Sequence, residues 1–530
     1  MVGKAVEFYL DRAQVEGYRD QDIQLSYWVE TPGEASQVSG VLAFSVGIHE
    51  EIESGAFRVM GARFYDSSWD PRGKPRILTA LRDSDLQTMR VEWRYESDER
   101  WTVSSQWTDR KPQLNLYVRS RSETWVCNPL NIVSTSFIVS GGGSSAFVAM
   151  RDEVSGSHGI EVDAVAWGNP AYGGTMENDQ AAVRNVAQIH ANIGACAALL
   201  RDGDVMCWGY ADFGGTPKRV TGDFVQLTAN GRAFLGQKAD GGLYAWGHAK
   251  AGVPVPDHVL QFRDYRHLYP GGSSFCGLRE NGKVVPWGDP AYGGQLRPGQ
   301  EELDGVVDIM TNGSAYVALR DTGTSRSVFA WGSADHGGLL PDDVGRQYNV
   351  ASLAAGSNYS FCIQLESGEL ITWPSGAPGG DLPEELVGAT GTIEVSATFD
   401  AFCARLDSGK VVAWGNPDRG GSLPREIAGR TDIIQVANGL QAFAALCRDG
   451  SVVAWGHPQC GGDTASVAGE LVDVRAIYGN VSGFVALTKD GRVVTWGVAL
   501  GGGDSSKVQH LLHGKVTHSR LLPPQESSEN

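Results

Sequence analysis

The feature that most constrains this chain is a tryptophan that returns at a nearly constant interval. Nine tryptophans, each followed by Gly or Pro, are separated by 41, 38, 41, 44, 42, 41, 41 and 41 residues: Trp167, Trp208, Trp246, Trp287, Trp331, Trp373, Trp414, Trp455 and Trp496. A period near 40 residues is typical of one small supersecondary unit copied many times, in which each copy buries its apolar face against the next. About three quarters of the 530 residues are therefore predicted to form one array.

Each unit contains three short segments rich in Val, Ile, Phe and Trp. In the copy that ends at Trp455 they read IIQVAN, AFAAL and SVVAWG, with Asp449-Gly450 before the third and Gly461-Gly462 after it. Segments of this length bounded by Gly, Asp and Asn are typical of β-strands, and Asp-Gly between two of them predicts a hairpin turn. We therefore predict three antiparallel strands per unit and an all-β fold.

The recurring tryptophan is interpreted as a structural residue. A three-stranded sheet this small is marginally stable alone, so neighbouring copies must stack, and an indole at the end of the third strand can fill the space between them. Four cysteines fall in the second strand of their copies and are interpreted as small buried hydrophobes, in keeping with a reducing compartment: Cys196, Cys276, Cys362 and Cys403.

The elements V-x-x-I-x-A, A-F-A-A-L-x-x-D-G and S-V-V-A-W-G resemble the repeats of the regulator of chromosome condensation family, over about 385 residues. The resemblance implies β-propeller blades. Repeats of that family are usually longer and its familiar propeller has seven blades, so nine compact copies leave a larger ring, an open β spiral or three tandem β-trefoils open. The founding member binds chromatin and promotes nucleotide exchange on a small GTPase, which makes guanine-nucleotide exchange an alternative function by analogy alone.

Three regions are predicted: a β-domain at residues 1–130, the array at residues 131–520 and a disordered tail at residues 521–530. The segment KVQHLLHGKVTHSRLL, which follows Gly501-Gly502-Gly503, resembles the start of a tenth copy. A strand that one end of the array adds to a unit begun at the other end would close a ring and remove exposed sheet edges.

The first 130 residues lack the Trp period. Apolar residues alternate or cluster at strand length in segments 6–10, 23–29, 41–46, 89–95, 101–107 and 114–118, which predicts a β-sandwich-like domain. This region also holds the six tryptophans that lie outside the repeats: Trp28, Trp69, Trp93, Trp101, Trp107 and Trp125.

Four of these aromatic residues are candidate ligand-binding residues. Trp93 and Tyr95 are two residues apart and share one face of a strand, and Trp101 and Trp107 share a face of the next strand if that strand is continuous. Aromatic platforms of this kind stack on sugar rings or anchor protein partners. A core built from large side chains is the alternative interpretation.

Charge and motifs limit the function. A formal net charge of −18 disfavours nucleic acids and anionic membranes as partners. No apolar run is long enough to cross a bilayer, and the first residues do not form a recognisable secretory signal, so we expect a cytoplasmic protein or export by a route without a signal peptide. No nucleotide-binding loop, serine nucleophile motif, HExxH or EF-hand loop occurs, so we predict no enzyme activity, no cofactor and no metal site.

We predict a non-enzymatic recognition or scaffold protein. The loops after Trp-Gly differ most between copies, and contacts with a protein partner are expected at Tyr172, Phe213, His248, Tyr292, His336, Arg419 and His457. The alternative is a host-directed, toxin-like protein whose N-terminal domain binds a cell-surface glycan through Trp93, Tyr95, Trp101 and Trp107.

Overall fold

The Trp-Gly period corresponds to nine three-stranded antiparallel units, which we call blades 1 to 9. The structure is a computed structural model that describes residues 52–64, 77–136, 145–152, 162–176, 184–216 and 218–522, together with the backbone of six short strands outside these ranges. In each blade an inner strand pairs with a middle strand, and the middle strand pairs with an outer strand that ends at the repeated tryptophan or the glycine after it. The predicted all-β repeat fold is confirmed.

The inner strands are Ile132–Ser134, Val186–Ala191, Phe224–Ala229, Tyr265–Pro270, Val306–Thr311, Val350–Gly356, Thr392–Ala397, Ile433–Asn438 and Val474–Gly479. The middle strands are Ala146–Met150, Ala195–Leu200, Ala233–Lys238, Ser274–Arg279, Ala315–Asp321, Phe361–Leu365, Ala401–Leu406, Ala442–Cys447 and Gly483–Thr488. The outer strands are Ala164–Gly168, Val205–Gly209, Leu243–Gly247, Val284–Gly288, Arg326–Gly332, Leu370–Trp373, Val411–Gly415, Val452–Gly456 and Val493–Gly497.

Short helices connect one blade to the next. Within the described ranges, four single-turn α-helices precede an inner strand or the C-terminal segment: α1 (Asp257–Leu260), α2 (Asp342–Gly345), α3 (Arg425–Ala428) and α4 (Gln509–Leu512). Three-residue 3₁₀ turns follow most outer strands, at Pro170–Tyr172, Ala211–Phe213, Ala249–Ala251, Pro290–Tyr292, Ala334–His336, Pro417–Arg419, Pro458–Cys460 and Ala499–Gly501. A further 3₁₀ turn at Glu384–Leu386 precedes blade 7. Two small additions are a hairpin, Val154–Gly156 with Gly159–Glu161, and the strand Arg219–Val220 on the outside of blade 2.

The repeated tryptophans fill the interfaces between blades. All nine are buried, at 0–4% exposure, and eight stack on an aromatic ring of the middle strand of their own blade at centroid distances of 5.1–5.7 Å. Seven of the indole N–H groups also donate a hydrogen bond to a glycine carbonyl of the preceding blade. The acceptor is the first Gly after the 3₁₀ turn or the equivalent glycine, as for Trp208 and Gly173 at 3.1 Å. Trp246 and Trp287 lie against the corresponding Gly214 and Gly252. The structural interpretation of the tryptophans is confirmed.

The ninth interface closes the ring. The indole of Trp167 in blade 1 donates to the carbonyl of Gly502 after blade 9, at 3.0 Å. The Ser145 and Ser482 hydroxyls, 337 residues apart in the chain, lie 2.8 Å from each other. The apolar cluster at this junction combines residues of blades 1 and 9, as the other junctions combine residues of consecutive blades. Nine blades therefore form one closed propeller, rather than an open spiral or three trefoils.

A band of main-chain hydrogen bonds links the blades near the axis. At seven of the nine junctions in the described chain, the turn between inner and middle strands of one blade donates to the equivalent turn of the next, at N···O distances of 2.8–3.2 Å. Ile193 accepts from Ser136 and donates to Gly231, and Phe399 accepts from Asn358 and donates to Leu440. Adjacent inner strands also touch around the whole circle, including those of blades 1 and 9. These hydrogen bonds fix the position of each turn relative to the turn of the neighbouring blade.

Residues that precede the ring form a β-sandwich with the C-terminal strand. One sheet has the order Ser519–Leu521, Thr124–Cys127, Leu116–Arg119, Val91–Tyr95, Thr102–Ser104, and the other contains Phe57–Met60, Ile77–Arg82 and Gln106–Thr108. Phe57, Leu78, Trp93 and Leu116 belong to the core shared by the two sheets. The predicted sandwich-like fold is confirmed.

The C-terminal segment does not begin a tenth blade. Its strand pairs antiparallel with Thr124–Cys127, and Asn128 donates its backbone N–H to the His518 carbonyl at 3.0 Å. The prediction that this segment supplies a closing strand is wrong, because the blade 9 surface already meets blade 1 directly and the segment instead completes a sheet edge of the sandwich. Residues 523–530 of the predicted tail lie outside the described residues.

A buried ion pair stabilises the sandwich. Arg63 and Asp109 are 1% and 0% exposed, and the guanidinium also donates to the Leu114 and Asn128 carbonyls at 2.7 and 2.8 Å. The Tyr95 hydroxyl donates to the same carboxylate at 2.9 Å. Because each charged group is hydrogen-bonded, the cost of burying the pair is offset, and removal of one partner would leave a buried charge. The network is structural.

The chain divides into two compact units, Met1–Glu53 and Ser54–Asn530. In the first unit Asp22–Leu25 pairs with Leu42–Ser45, and Trp28–Val29 pairs with Gln37–Val38, so strands occur in the predicted segments 23–29 and 41–46. The predicted segment 6–10 and Trp69 lie outside the described residues. The predicted boundary at residue 130 falls inside the second unit, where the sandwich and the ring share backbone hydrogen bonds such as Gly61 N–H to the Arg475 carbonyl.

We expect Trp167→Ala to lower the free energy of unfolding by about 3–5 kcal/mol, because it removes a buried indole from the closing interface. Denaturant unfolding followed by fluorescence measures the change. Trp101→Ala, at a partly exposed position of the sandwich, is the control and should cost about 1 kcal/mol or less. Equal losses in the two variants would contradict the closing role of Trp167.

Stability should also fall on mild acidification. Burial lowers the pKa of His518 to about 4 and that of His190 to about 3. The unfolded chain binds protons below about pH 6.5 while these folded-state rings stay neutral, so the free energy of unfolding drops as the pH falls from 6.5 to 4.5, by roughly 2–3 kcal/mol per histidine. His518→Gln, which can still donate to the Gly61 carbonyl, should flatten this dependence, whereas His510→Gln on the exposed part of α4 should not. An unchanged slope in His518→Gln would contradict the assignment.

Candidate functional site

One face of the ring combines two sets of variable segments. Strand directions bring the loop after each Trp-Gly next to the turn between the inner and middle strands of the same blade. The residue after Trp-Gly donates its N–H to that turn, as Tyr210 does to Gly194 at 2.8 Å and Ser333 to Ser314 at 3.0 Å. We call this surface the Trp-Gly face, and the opposite surface, which carries the turns between middle and outer strands, the hairpin face.

A side-chain hydrogen bond holds each loop against its turn in eight blades of the described chain. An Asn, Ser or Thr in the turn, or in blade 4 Ser274 at the start of the middle strand, donates to the carbonyl of the residue before Gly-Gly or its equivalent, at 2.5–3.0 Å. In blade 5, Asn312 donates to the His336 carbonyl while its Oδ1 accepts from the backbone of Ser314 and Ala315. The loops are therefore held in place by buried polar contacts, although their outward side chains differ.

The first aromatic cluster, patch A, spans blades 1 to 3. The rings of Tyr172 and Tyr210 stack at 6.1 Å, those of Tyr210 and Phe213 lie 4.9 Å apart, and Phe213 meets His248 edge-on at 6.4 Å. Tyr210 is 40% exposed, and the other three rings are half-buried. A Cβ placed on Gly194 would lie 3.1–3.2 Å from Tyr172, Tyr210 and Phe213. Because Gly194 has no side chain, the rings of Tyr172, Tyr210 and Phe213 can pack against its backbone.

The second aromatic cluster, patch B, spans blades 5 to 7. His336 stacks on Tyr359 at 5.4 Å, Tyr359 meets Phe399 edge-on at 5.7 Å, and the Arg419 guanidinium lies 5.0 Å from the centre of the Phe399 ring. The His336 Nδ1 lies 2.8 Å from the Ser333 hydroxyl. Partial burial lowers the pKa of His336 below its ordinary value, despite the opposing effect of Asp335.

All seven loop residues named from the sequence lie on the Trp-Gly face, and five belong to the two patches: Tyr172, Phe213, His248, His336 and Arg419. Tyr292 and His457 occupy equivalent loops of blades 4 and 8, outside the patches. Sequence reasoning missed Tyr210, Tyr359 and Phe399. Tyr359 and Phe399 lie in the turns between inner and middle strands, and their position beside the loops depends on the strand directions in a blade.

The four aromatic residues proposed in the N-terminal region do not form one platform. Trp93 and Tyr95 do share a strand face, but that face points into the sandwich core, and the two side chains are 0% and 4% exposed. Trp101 and Trp107 lie on opposite sides of a break at Ser105, where the chain passes from one sheet to the other. The expectation that these residues jointly bind a ligand is therefore wrong for Trp93 and Tyr95 because they are inaccessible.

The remaining two side chains of that set have partners within the sandwich. Trp107 stacks on Trp93 at 6.0 Å and donates its indole N–H to the Tyr95 hydroxyl at 3.1 Å. The guanidinium groups of Arg119 and Arg94 lie 4.0 and 4.8 Å from the centre of the Trp101 ring. The Trp101 ring is thus occupied by cation–π contacts with its own chain.

A polar cleft of about 390 Å³ lies between the sandwich and blades 1 and 2, and two of its polar side chains have the following hydrogen bonds. Asp152 accepts from the Thr517 hydroxyl at 2.8 Å, and Arg520 donates to the Asn128 side chain at 2.9 Å. Within the described residues no group of three His, Cys, Asp or Glu side chains could hold a metal ion. All eight cysteines are buried and free, as the sequence interpretation of four of them predicted. None of the helices in the described ranges is long and apolar enough to cross a membrane.

Comparison with known proteins gives weak structural similarities. No family model and no curated protein matches the chain. Similar solved structures include the CRINKLY WD40 ectodomain of the receptor kinase ACR4 from Arabidopsis thaliana, with 17% identity, coverage of 48% of this chain and 87% of that chain, and a TM-score of 0.29. Prp20p from Saccharomyces cerevisiae, described together with its binding to Gsp1p and histones, has 18% identity, coverage of 55% and 80%, and a TM-score of 0.33.

Human WBSCR16 is 15% identical, with coverage of 51% of this chain and 87% of that chain and a TM-score of 0.33. Scores in this range identify neither a family nor a function. The propeller assignment rests on the strand pairing and the closure contacts of the chain itself.

We expect Asn312→Ala to destabilise the protein by about 2–3 kcal/mol, because it leaves buried backbone groups of the turn and the loop without partners. It should also speed amide hydrogen exchange in residues 333–338, which mass spectrometry of peptides can follow. Asn281→Ala, which removes a single side-chain bond in an exposed hairpin of blade 4, is the control. Unchanged exchange at 333–338 in Asn312→Ala would show that the bond does not hold the loop.

Proposed function

We propose that the ring is a non-enzymatic scaffold that binds a protein partner on its Trp-Gly face. The observation that carries the proposal is the pair of aromatic clusters, patch A and patch B, each assembled from consecutive blades. Aromatic side chains are enriched among the residues that dominate protein–protein affinity, since they bury a large area at a small entropic cost. Clusters of several partly exposed rings on one surface fit this role better than isolated exposed residues do.

The framework beneath the patches supports the proposal. The loops and turns that carry the rings are held by the side-chain bonds described above and by the main-chain band near the axis. A surface that is already ordered loses little conformational freedom when it binds, which favours affinity. The repeated part of each blade can thus stay constant while side chains at equivalent loop positions vary.

A protein partner is favoured over a cell-surface glycan. The glycan alternative relied on four aromatic residues of the N-terminal region, of which Trp93 and Tyr95 are buried and Trp101 is covered by Arg94 and Arg119. The Trp-Gly face instead offers several partly exposed rings and Arg419, and aromatic residues and arginine are enriched at protein-binding surfaces.

We also infer kinship with the regulator of chromosome condensation family, from the same strand and turn elements in each of the nine blades. The nucleotide-exchange activity of the founding member of that family is not part of the proposal. The proposal assigns no reaction, cofactor or metal to the protein.

The test compares pairs of aromatic residues on different surfaces of the full-length protein. Tyr210→Ala/Phe213→Ala and Tyr359→Ala/Phe399→Ala remove rings from patch A and patch B. Tyr244→Ala/Tyr348→Ala is the control, because these tyrosines are 49% and 64% exposed but lie away from the Trp-Gly face. Tagged variants serve as bait in extracts of the native cells, and captured proteins are quantified by mass spectrometry.

We expect both patch variants to capture at least about tenfold less of the partner than the unmodified protein and the control do. Loss of a hot-spot ring costs about 1–2 kcal/mol or more of binding free energy. Thermal unfolding of each variant serves as a check on folding. If the captured set were the same for the patch variants and the control, the proposed binding face would be wrong.

A further inference from the structure

The polar cleft between the sandwich and blades 1 and 2 is large enough to hold a small molecule. Its volume is about 390 Å³, and small-molecule sites of about 300–1,000 Å³ commonly form where two domains meet. The sandwich, the C-terminal segment and both blades contribute to its walls. Arg151 and Arg201, which directly follow the middle strands of blades 1 and 2, place the cleft at the hairpin face, away from the aromatic patches.

The walls of the cleft carry more positive than negative groups. Three guanidinium groups and two carboxylates line it: Arg151, Arg201, Arg520, Asp152 and Glu96. The whole chain has the opposite balance, with 62 acidic and 44 basic residues. The cleft is therefore a local exception to the acidic character of the chain, which favours an anionic ligand there over a cationic one.

The two carboxylates of the cleft already accept hydrogen bonds from the chain. Asp152 accepts from the hydroxyl and the backbone N–H of Thr517 at 2.8 and 3.1 Å, and from the Asn128 side chain at 3.2 Å. Glu96 accepts from the side-chain amide and the backbone N–H of Asn115 at 2.9 and 3.1 Å. Each of the four carboxylate oxygens thus has a partner within the chain, which leaves a cationic ligand little to bind.

Arg520 keeps N–H groups that a ligand can use. Its side chain is exposed, and Nη1 donates to the Asn128 side chain at 2.9 Å. Its charge also acts on Asp152, from beyond ion-pair distance. The guanidinium forms no other hydrogen bond and no ion pair with the residues that the structure describes. Because a guanidinium presents five N–H donors in a planar fork, the unused ones match the oxygens of a carboxylate or a phosphate.

Other groups of the cleft can hydrogen-bond hydroxyl groups. In the described part of the chain the Gln113 side-chain amide neither donates nor accepts a hydrogen bond, and Asn115 uses only the N–H side of its amide, toward Glu96. Arg151 holds Asp163 through Nε and Nη2 and keeps Nη1. An amide that can both donate and accept matches a hydroxyl, which does the same.

We propose that this cleft binds a small molecule that carries hydroxyl groups and one oxyanion, such as a sugar acid or a polyol phosphate. Arg520 receives the oxyanion, and Gln113 and Asn115 receive the hydroxyl groups. The site is distinct from the Trp-Gly face and goes beyond the proposed scaffold function. Because Arg520 follows the sandwich edge while the opposite wall belongs to blades 1 and 2, the bound molecule links the sandwich to the ring.

Equilibrium dialysis of the full-length protein, at constant pH and ionic strength, tests the site. The probes are radiolabelled gluconate and radiolabelled glycerol phosphate, which distinguish a carboxylate from a phosphate as the oxyanion. Glucose and glycerol are the neutral counterparts of the two probes, and inorganic phosphate is an oxyanion without hydroxyl groups other than its own. Thermal unfolding of each protein variant checks that it folds.

Two variants change the cleft, and each has a control with the same net charge. Arg520→Gln removes the positive group and is matched by Arg100→Gln. Gln113→Glu adds a negative group and is matched by Gln87→Glu. Arg100 and Gln87 are exposed residues of the sandwich that do not line the cleft.

We expect at least one of the two anionic probes to bind the unmodified chain, and to bind at least about tenfold more tightly than its neutral counterpart and than inorganic phosphate. Arg520→Gln should weaken that binding at least about tenfold, because it removes charge-assisted hydrogen bonds. Gln113→Glu should weaken it by a similar factor through repulsion. Both controls should stay within about twofold of the unmodified chain, as should Tyr210→Ala/Phe213→Ala on the Trp-Gly face.

Absence of binding by both anionic probes would overturn the inference. Equal weakening in Arg520→Gln and Arg100→Gln would also overturn it, because it would show a general effect of charge rather than a positioned site. The same holds if the neutral counterparts, or inorganic phosphate, bind as tightly as the probes.

Discussion

The contact on which this fold depends is the repeated indole between two blades. Its ring stacks on the middle strand of its own blade, and in most blades its N–H reaches a glycine carbonyl of the preceding one. A three-stranded sheet has little core of its own, so most of the stability of a blade comes from this interface. Because the same contact recurs at Trp167 and Gly502, the last interface is built like the others and the ring needs no special closing strand.

That contact separates the residues of a blade that are needed for packing from those that face outward. Trp, the paired aromatic ring and the glycine that accepts the indole bond are tied to packing and cannot vary without cost. The outward side chains of the 3₁₀ turn, and those of the turn between inner and middle strands that make no bond to the loop, differ from blade to blade. Tyr210, Phe213, Tyr359 and Phe399 occupy such variable positions. The same framework thereby carries different side chains from blade to blade, which fits the proposed role in recognition.

Much of the blade could be predicted from the sequence, because its determinants are local. Asp449-Gly450 specifies a hairpin through a carboxylate that accepts from the Ser451 backbone at 2.8 Å and a glycine at φ 83°. Regular recurrence then identified the tryptophans as packing residues. Ring closure could not be predicted, since it depends on the angle between successive blades, which no single copy encodes.

Long-range contacts explain the other failures. The C-terminal strand joins the sandwich because a sheet edge is available at Thr124–Cys127, and nothing near residue 520 in the sequence indicates that edge. The segment from Trp101 to Trp107 divides between two sheets at Ser105, where the sequence carries only a pair of serines. The proposed binding face was predicted in part: the variable loops were identified, but Tyr359 and Phe399 join them through strand pairing across each blade.

Closure of nine blades into one ring is the central claim, and a disulfide across the ninth interface tests it most directly. The hydroxyls of Ser145 and Ser482 lie 2.8 Å apart although 337 residues separate them in the chain. With Ser145→Cys/Ser482→Cys, mild oxidation of the folded protein should give an intramolecular cross-link in nearly all molecules, detected by mass spectrometry of the linked peptides. Two thiols that stay reduced and separately reactive in the folded double variant would contradict a closed ring.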